Sequence, residues 1–288
     1  MDVVTLEREK SFTRRDFLKL AGVAALGLPL YAGEISRHEI SVLRVTITLP
    51  RLPDAFRGLT IAQLSDLHYA EYTEAYFVKQ VVERVNRLKP DVVVYTGDYI
   101  TNGFWPVKDT LRFAGECAEM LARVQCPVRY AVLGNHDCAR KIFWHAVPDA
   151  LEVHNIPVLG NRAIPLERDG ARLWFAGTGD ALVHDVYLDK AIPTAGSDEP
   201  VILLAHEPDI LPIVVRHNVD LMLSGHTHGG QIRIPFLPPM FLPQLGKDYV
   251  HGLYRLGPTQ LYVNSGIGTV NLPFRFNCPP EITLITLA

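Results

Sequence analysis

Residues that bind metals recur in this chain at one kind of place, directly after a short apolar run. Asp66 and His68 follow IAQLS, Asp98 follows VVVYTG, and Asn135, His136 and Asp137 follow YAVLG. His206 follows VILLA, and His226 and His228 follow LMLSG. Runs of this type, rich in β-branched residues and bounded by Gly or Pro, read as buried strands. Open α/β sheets place their sites outside the carboxyl ends of strands. The five runs therefore bring aspartate, histidine and asparagine to one sheet edge. A single histidine in such a place is ordinarily a satisfied core residue, but a core histidine has no reason to recur at strand ends.

The rest of the chain supplies the alternation that an α/β fold needs. Val78, Val81, Val82, Val85 and Leu88 recur at helical spacing, predicting a helix over Thr73–Leu88 that Pro90 stops. A second helix is expected over Asp109–Leu121, and a third over Ile210–Arg216 with Asp209 as its cap. Further strands are expected in HEISVLRVTITLP, RLWFAGTGD, QLYVNSG and EITLITL, with a hairpin turn at Asp169-Gly170. With 288 residues, 48% of them hydrophobic, the chain can build one large core. A net charge of -3 leaves no electrostatic footprint for nucleic acid. Cys117, Cys126, Cys138 and Cys278 form no C-x-x-C pair and no disulfide framework.

Asp66, His68, Asp98, Asn135, His206, His226 and His228 amount to four imidazoles, two carboxylates and one amide. Nitrogen and oxygen donors without sulfur suit divalent Mn, Fe or Zn. Seven side chains exceed one tetrahedral zinc, and they fit two ions if one carboxylate bridges.

The motifs D-L-H at 66–68, G-D at 97–98, G-N-H-D at 134–137, the lone His206 and G-H-T-H at 225–228 resemble, in order, the calcineurin-like metallophosphoesterases. The segment NSGIGTVNLPFRFNCPPEITLITL resembles the end of an exported or membrane-associated bacterial phosphodiesterase branch of that family. The resemblance implies a four-layer α/β/β/α sandwich of two mixed sheets. It implies a first ion on Asp66, His68 and His228, a second on Asn135, His206 and His226, and Asp98 between them. It implies a metal-dependent phosphodiesterase that hydrolyses a phosphodiester or pyrophosphate by a metal-bridging hydroxide. His136 would face the scissile phosphate, and Asp137 would orient it. Gln231, Arg233 and Arg275 are the candidate substrate-binding residues, with a structural salt bridge the alternative for each arginine, and His251 has the best claim among the remaining histidines. The substrate is expected to be a small or lipid-linked phosphoester of the cell envelope. The alternatives are a phosphomonoester or nucleotide, the UDP-diacylglucosamine of lipid A synthesis, and a scaffold without chemistry. The last would be expected to lose His136 or several ligands.

The first 36 residues stand apart from the domain expected over 37–288. Arg14-Arg15 ahead of Phe17-Leu18-Lys19 and an apolar stretch from Leu20 to Tyr31 resemble a twin-arginine export signal. The stretch is short and rich in Gly and Ala for a membrane span. The expectation is export by the twin-arginine machinery to the periplasm or cell wall, with an uncleaved inner-membrane anchor as the alternative. PFLPPMFLPQLG, residues 235–246, carries no charge and four prolines. It reads as a loop, either folded on the core as a lid or bordering the site and meeting a membrane surface or an acyl chain.

Overall fold

The computed structural model describes residues 13–193, 199–239 and 241–288. In chain order the strands are β1 (Ser41–Ile47), β2 (Thr60–Leu64), β3 (Val92–Thr96), β4 (Arg129–Val132), β5 (Arg162–Arg168), β6 (Ala171–Gly177), β7 (Val201–Leu204), β8 (Leu221–Ser224), β9 (Gly252–Leu256), β10 (Thr259–Val263) and β11 (Glu281–Leu287). The helices are α1 (Arg14–Leu30), α2 (Ala75–Leu88), α3 (Val107–Leu121), α4 (Asn135–Cys138), α5 (Phe143–Glu152), α6 (Leu188–Ala191) and α7 (Leu211–Val214).

Two mixed sheets form, in the orders β1-β11-β2-β3-β4 and β5-β6-β7-β8-β10-β9. Strands β2, β3 and β4 run parallel, and β11 lies antiparallel to β2 and parallel to β1. In the other sheet β6, β7, β8 and β10 run parallel, with β5 and β9 antiparallel at the edges. The sheets face each other through Ile61, Val94, Val132, Phe175, Leu204, Leu223 and Ile285. Helices α2, α3 and α5 cover the outer face of the first sheet, where Val78, Val85, Leu121 and Val147 meet Val93 and Tyr95. Helices α6 and α7 cover the second, where Leu188, Leu211 and Val214 meet Leu203 and Met222. This is the expected four-layer α/β/β/α sandwich. It explains why the central strands are continuous apolar runs, since both faces of each sheet are covered.

Local departures have local causes. Helix α2 starts at Ala75 rather than Thr73 because Glu74 is extended, its carboxylate held by Arg37 and His38 at 2.7 and 3.0 Å. It ends where Lys89 turns left-handed and donates its N–H to Val85. The helix expected over Ile210–Arg216 is a 3-10 turn at Pro208–Ile210 followed by the single turn α7. Asp209 does not cap it; its carboxylate accepts the N–H groups of Lys247, Asp248 and Tyr249 and fastens that loop. The hairpin between β5 and β6 turns at Asp169 (φ 51°) and Gly170 (φ 79°), as read. Pro165 is tolerated because β5 is an edge strand.

The segment after α1 is built into the domain. Ala32 and Ser36 are buried, and the Ala32 carbonyl accepts the Arg275 N–H at 3.0 Å. The Arg37 guanidinium donates to the carbonyls of Gly33 and Tyr72. Among the described residues, no helix is long and apolar enough to cross a membrane. The first twelve residues of the expected leader lie outside the described residues.

Glu281 ties β11 to the loop after β10. Its buried carboxylate accepts from Tyr262 Oη (2.8 Å), Ser265 Oγ (2.7 Å) and Thr283 Oγ1 (2.6 Å), with His251 Nε2 at 2.9 Å. His251, the best of the remaining histidines, is thereby a partner of Glu281 and does not line the metal site. Burial opposes ionisation of Glu281, but His251 and the hydroxyl donors outweigh it and lower its pKa. A depressed carboxyl stabilises the fold above its ordinary value of about 4.3 and loses that contribution as pH falls through the folded value. Glu281→Gln is expected to lower the denaturation midpoint at pH 7. The gap to the parent should close below about pH 4, as measured by urea titrations across pH.

Candidate metal centre

The ends of the two sheets are pinned together at the site. Gln63, fully buried on β2, donates to the Ser224 carbonyl of β8 at 2.9 Å and reaches Thr96 Oγ1 of β3 at 3.2 Å. Glycine makes the approach possible. A Cβ on Gly134 would stand 2.7 Å from the Asp98 N and 2.7 Å from His206 Cε1, and one on Gly225 would overlap Ser65 Oγ. Asp66, His68, Asp98, His226 and His228 all take left-handed backbone, with φ between 44° and 72°. Such conformations are uncommon outside glycine and cluster at functional sites. The loops after β2 and β3 are zipped together, Asp66 N to Gly97 O at 2.9 Å and His68 N to Asp98 O at 3.1 Å.

The seven expected ligands converge. Asp66, His68 and His228 form one group whose donor atoms lie within 4.8 Å of one another, and Asp98, His206 and His226 form another. Asp98 Oδ2 stands 3.5 Å from His68 Nε2 and 3.2 Å from His206 Nε2, between the two groups. Asn135 Oδ1 and His206 Nε2 are buried with no hydrogen-bond partner. His68 Nε2 and His228 Nε2 face each other at 3.1 Å. Buried polar atoms left this way are costly, and cations between them would satisfy them. The donor set thus fits divalent ions by its own geometry.

Partners on the far side of each ring direct the lone pairs. His206 Nδ1 donates to the Thr96 carbonyl at 2.6 Å, which leaves Nε2 toward Asp98; burial opposes charge on this ring, but Asp98 outweighs it and holds its pKa well above the ordinary value. His226 Nε2 lies 2.7 Å from the Gln244 carbonyl, which leaves Nδ1 free. His68 Nδ1 meets Thr101 Oγ1 at 2.9 Å, which leaves Nε2 toward His228. Carbonyl and hydroxyl partners of this kind fix tautomers in metal sites. Burial, then the neighbouring imidazole charge, pushes His68 down to about 3 and His226 down to about 4. Both rings are neutral near pH 7. Burial pushes the Asp66 carboxyl up to about 6. At Asp98 burial opposes ionisation, but the His206 and His136 charges outweigh it and hold the carboxyl well below the carboxylate range.

His136 lines the cavity beside His68, with ring centroids 4.8 Å apart. Its Nδ1 accepts the Asn102 N–H at 3.1 Å, so the ring proton sits on Nε2. Asp137 does not set that tautomer, contrary to expectation. Its fully buried carboxylate accepts the N–H groups of Asp98 (2.8 Å), Tyr99 (3.0 Å) and Gly134 (3.0 Å) and braces the loops that carry Asp98 and His136.

The expected substrate residues fare differently. Arg275 is fully buried, and its guanidinium donates to the carbonyls of Gly268, Cys278 and Ser265. It has no free edge for a phosphate, so the substrate role is corrected to one of bracing the 265–278 loop. Gln231 lines the cavity, but its amide is spent on Val270 and Leu272. Arg233 does not line the cavity, and its backbone N–H goes to Phe276.

Residues 59–230 match the family model described as calcineurin-like phosphoesterase. The chain belongs to the calcineurin-like phosphoesterase family. The phosphoesterase is 34% identical over 289 residues to the metallophosphoesterase YkuE of Bacillus subtilis, covering 96% of this chain and 98% of that one. It is 31% identical over 257 residues to phosphodiesterase YaeI of Escherichia coli, covering 88% of each. It is 34% identical over 291 residues to a Helicobacter pylori metallophosphoesterase, covering 97% of this chain and 72% of that one. The phosphoesterase is a metal-dependent phosphoester hydrolase.

Two outcomes follow from the geometry. A raised carboxyl is protonated, and lost as a ligand, below its folded pKa. Metal affinity should therefore weaken by about tenfold per pH unit below about pH 6, as followed by calorimetric titration with Mn. Separately, Asp98→Asn should reduce bound metal in elemental analysis, while His136→Ala leaves it near the parent level. Metal loss in His136→Ala would make that ring a ligand.

Proposed function

We propose that the phosphoesterase hydrolyses a phosphodiester or pyrophosphate with an apolar substituent, using two divalent ions. The observation that carries this reading is the make-up of one cavity of about 540 Å³. His68, Asp98, Asn135, His136, His226 and His228 line one side, and Ile232, Phe241, Leu242, Pro243, Val270 and Leu272 line the other. Among the described residues, no Lys or Arg lines it. A dianionic phosphoryl group would call for further cations, whereas a singly charged phosphoryl linkage with an apolar arm does not.

Asp66, His68 and His228 would hold one ion, and Asn135, His206 and His226 the other, with Asp98 shared. Ions so placed would supply positive charge to the phosphoryl oxygens and acidify a water. The chain's own residues do the rest. His68, His226 and His228, kept neutral by burial, and the ionised Asp98 present lone pairs near pH 7, while His206, whose proton Asp98 favours, would give that proton up to an ion. His136 holds a proton on Nε2, directed by Asn102, and passes it to the leaving oxygen as the ester bond breaks. The apolar wall excludes water from the substituent side and orients the diester.

A scaffold role is disfavoured because His136 and all seven expected ligands are present. The Arg14-Arg15 pair supports a reading of export to the cell envelope, which disfavours the cytoplasmic UDP-diacylglucosamine as substrate.

The test is turnover by Mn-loaded enzyme of bis(p-nitrophenyl) phosphate, p-nitrophenyl phosphate, a nucleoside monophosphate and a lipid-linked diphosphate. The diester and the lipid diphosphate should be cleaved fastest, and chelator should abolish all activity. His136→Ala should lower kcat by about 10²–10⁴-fold. A preference for monoesters would overturn the substrate class, and activity in metal-free protein would overturn the mechanism.

A further inference from the structure

The exposed apolar side chains near the cavity are concentrated in two segments that meet. One is the 234–241 loop, where Phe236 is 105% exposed, Leu237 57% and Phe241 65%. The other is the end of α1, where Leu28 is 51% exposed and Leu30 63%. Between them lies an apolar groove in which Leu28, Pro29 and Ala32 face Ile232, Ile234 and Phe274. Ile232 lines this groove and the metal cavity alike. Phe241 carries the apolar surface from the loop into the cavity wall. The uncharged loop is thus exposed at Phe236, Leu237 and Phe241, while Leu242 and Pro243 line the cavity and Gln244 meets His226.

Two features identify what covers this surface. Residues 20–30, LAGVAALGLPL, contain no polar side chain. A helix that is apolar all round persists only in a protein core or in lipid. Helix α1 has 17 residues, roughly 25 Å of helix, which falls short of a hydrocarbon core of about 30 Å. Over the described residues its length fits a position along a membrane surface. Arg14, Arg15 and Lys19 are exposed near its start, where they match anionic headgroups. On the loop, Pro235, Pro238 and Pro239 limit the ways in which Phe236 and Leu237 can fold back.

We propose that the end of α1 and the loop side chains Phe236, Leu237 and Phe241 form one lipid-binding face that seats the mouth of the metal cavity on an anionic bilayer. Substrate then reaches the metals past Ile232 and Phe241 without leaving the apolar phase. The face stands independently of which ester is cleaved.

The test is flotation of the full chain with vesicles of phosphatidylglycerol and phosphatidylethanolamine, and with phosphatidylcholine alone. The parent protein should float with the anionic vesicles and more weakly with the neutral ones. Phe236→Ser with Leu237→Ser removes two exposed side chains outside the cavity wall. It should weaken vesicle binding by about tenfold or more while leaving turnover of bis(p-nitrophenyl) phosphate unchanged. A parent protein that stays in the lipid-free fraction would overturn the proposal. So would a double variant that floats as the parent does, or a lipid-free dimer that the double variant splits, since a second copy would then be what covers the face.

Discussion

Everything at the site depends on two sheet ends meeting at closer than side-chain distance. The apolar layer between the sheets sets their separation, and at the polar end that separation leaves no room for a Cβ at Gly134 or Gly225. Five ligand positions then turn left-handed so that side chains leaving different strands point at one another. Conformations of this kind cost about 1–3 kcal/mol each. The buried inter-sheet core offsets them, and so do the backbone bonds that zip the β2 and β3 loops. Asp137 belongs to the same account, because a carboxylate that gathers several N–H groups holds two of those loops at once.

The electrostatic consequence is a set of donors prepared for cations. His68, His206 and His226 each have one nitrogen committed to a carbonyl or hydroxyl, so their ligand atom is chosen before any ion arrives. His68 and His226 remain unprotonated because burial makes their charged forms expensive. Asp98 remains ionised because the surrounding imidazoles favour its charge.

What could be read from the chain was what repeats along it. Strand runs ending in Asp, His or Asn gave the order of the ligands, and the period of Val78 to Leu88 gave α2. What could not be read depended on partners far away in sequence. Arg275 looked like a phosphate ligand because a lone arginine in a loop carries no sign of the carbonyls that surround it. Asp137 sits beside His136 in sequence, yet its hydrogen bonds go to backbone N–H groups of its own loop and of the loop after β3. Thr101, Asn102 and Gln244 orient His68, His136 and His226 by single contacts that no motif announces. Helix α5 escapes because Pro148 lies within it, and short elements such as α7 owe their form to what they pack on.

The position of β11 bears on how the molecule comes into being. It is the strand farthest along the chain, yet it lies in the middle of its sheet, with Ser41 of β1 paired to Glu281 and Ile61 of β2 to Ile285. While a ribosome is still making residues 264–280, β1 and β2 have no common neighbour, and the loop that braces Asp66 through Ile267 and Gly268 has not formed. Parallel pairings between strands so distant in sequence are also slow to form. The nascent chain must therefore keep its first strands waiting, open to pairing with other chains, until its last strand emerges. The bonds that brace Asp66 from the 264–280 loop are thus among the last that the growing chain can make.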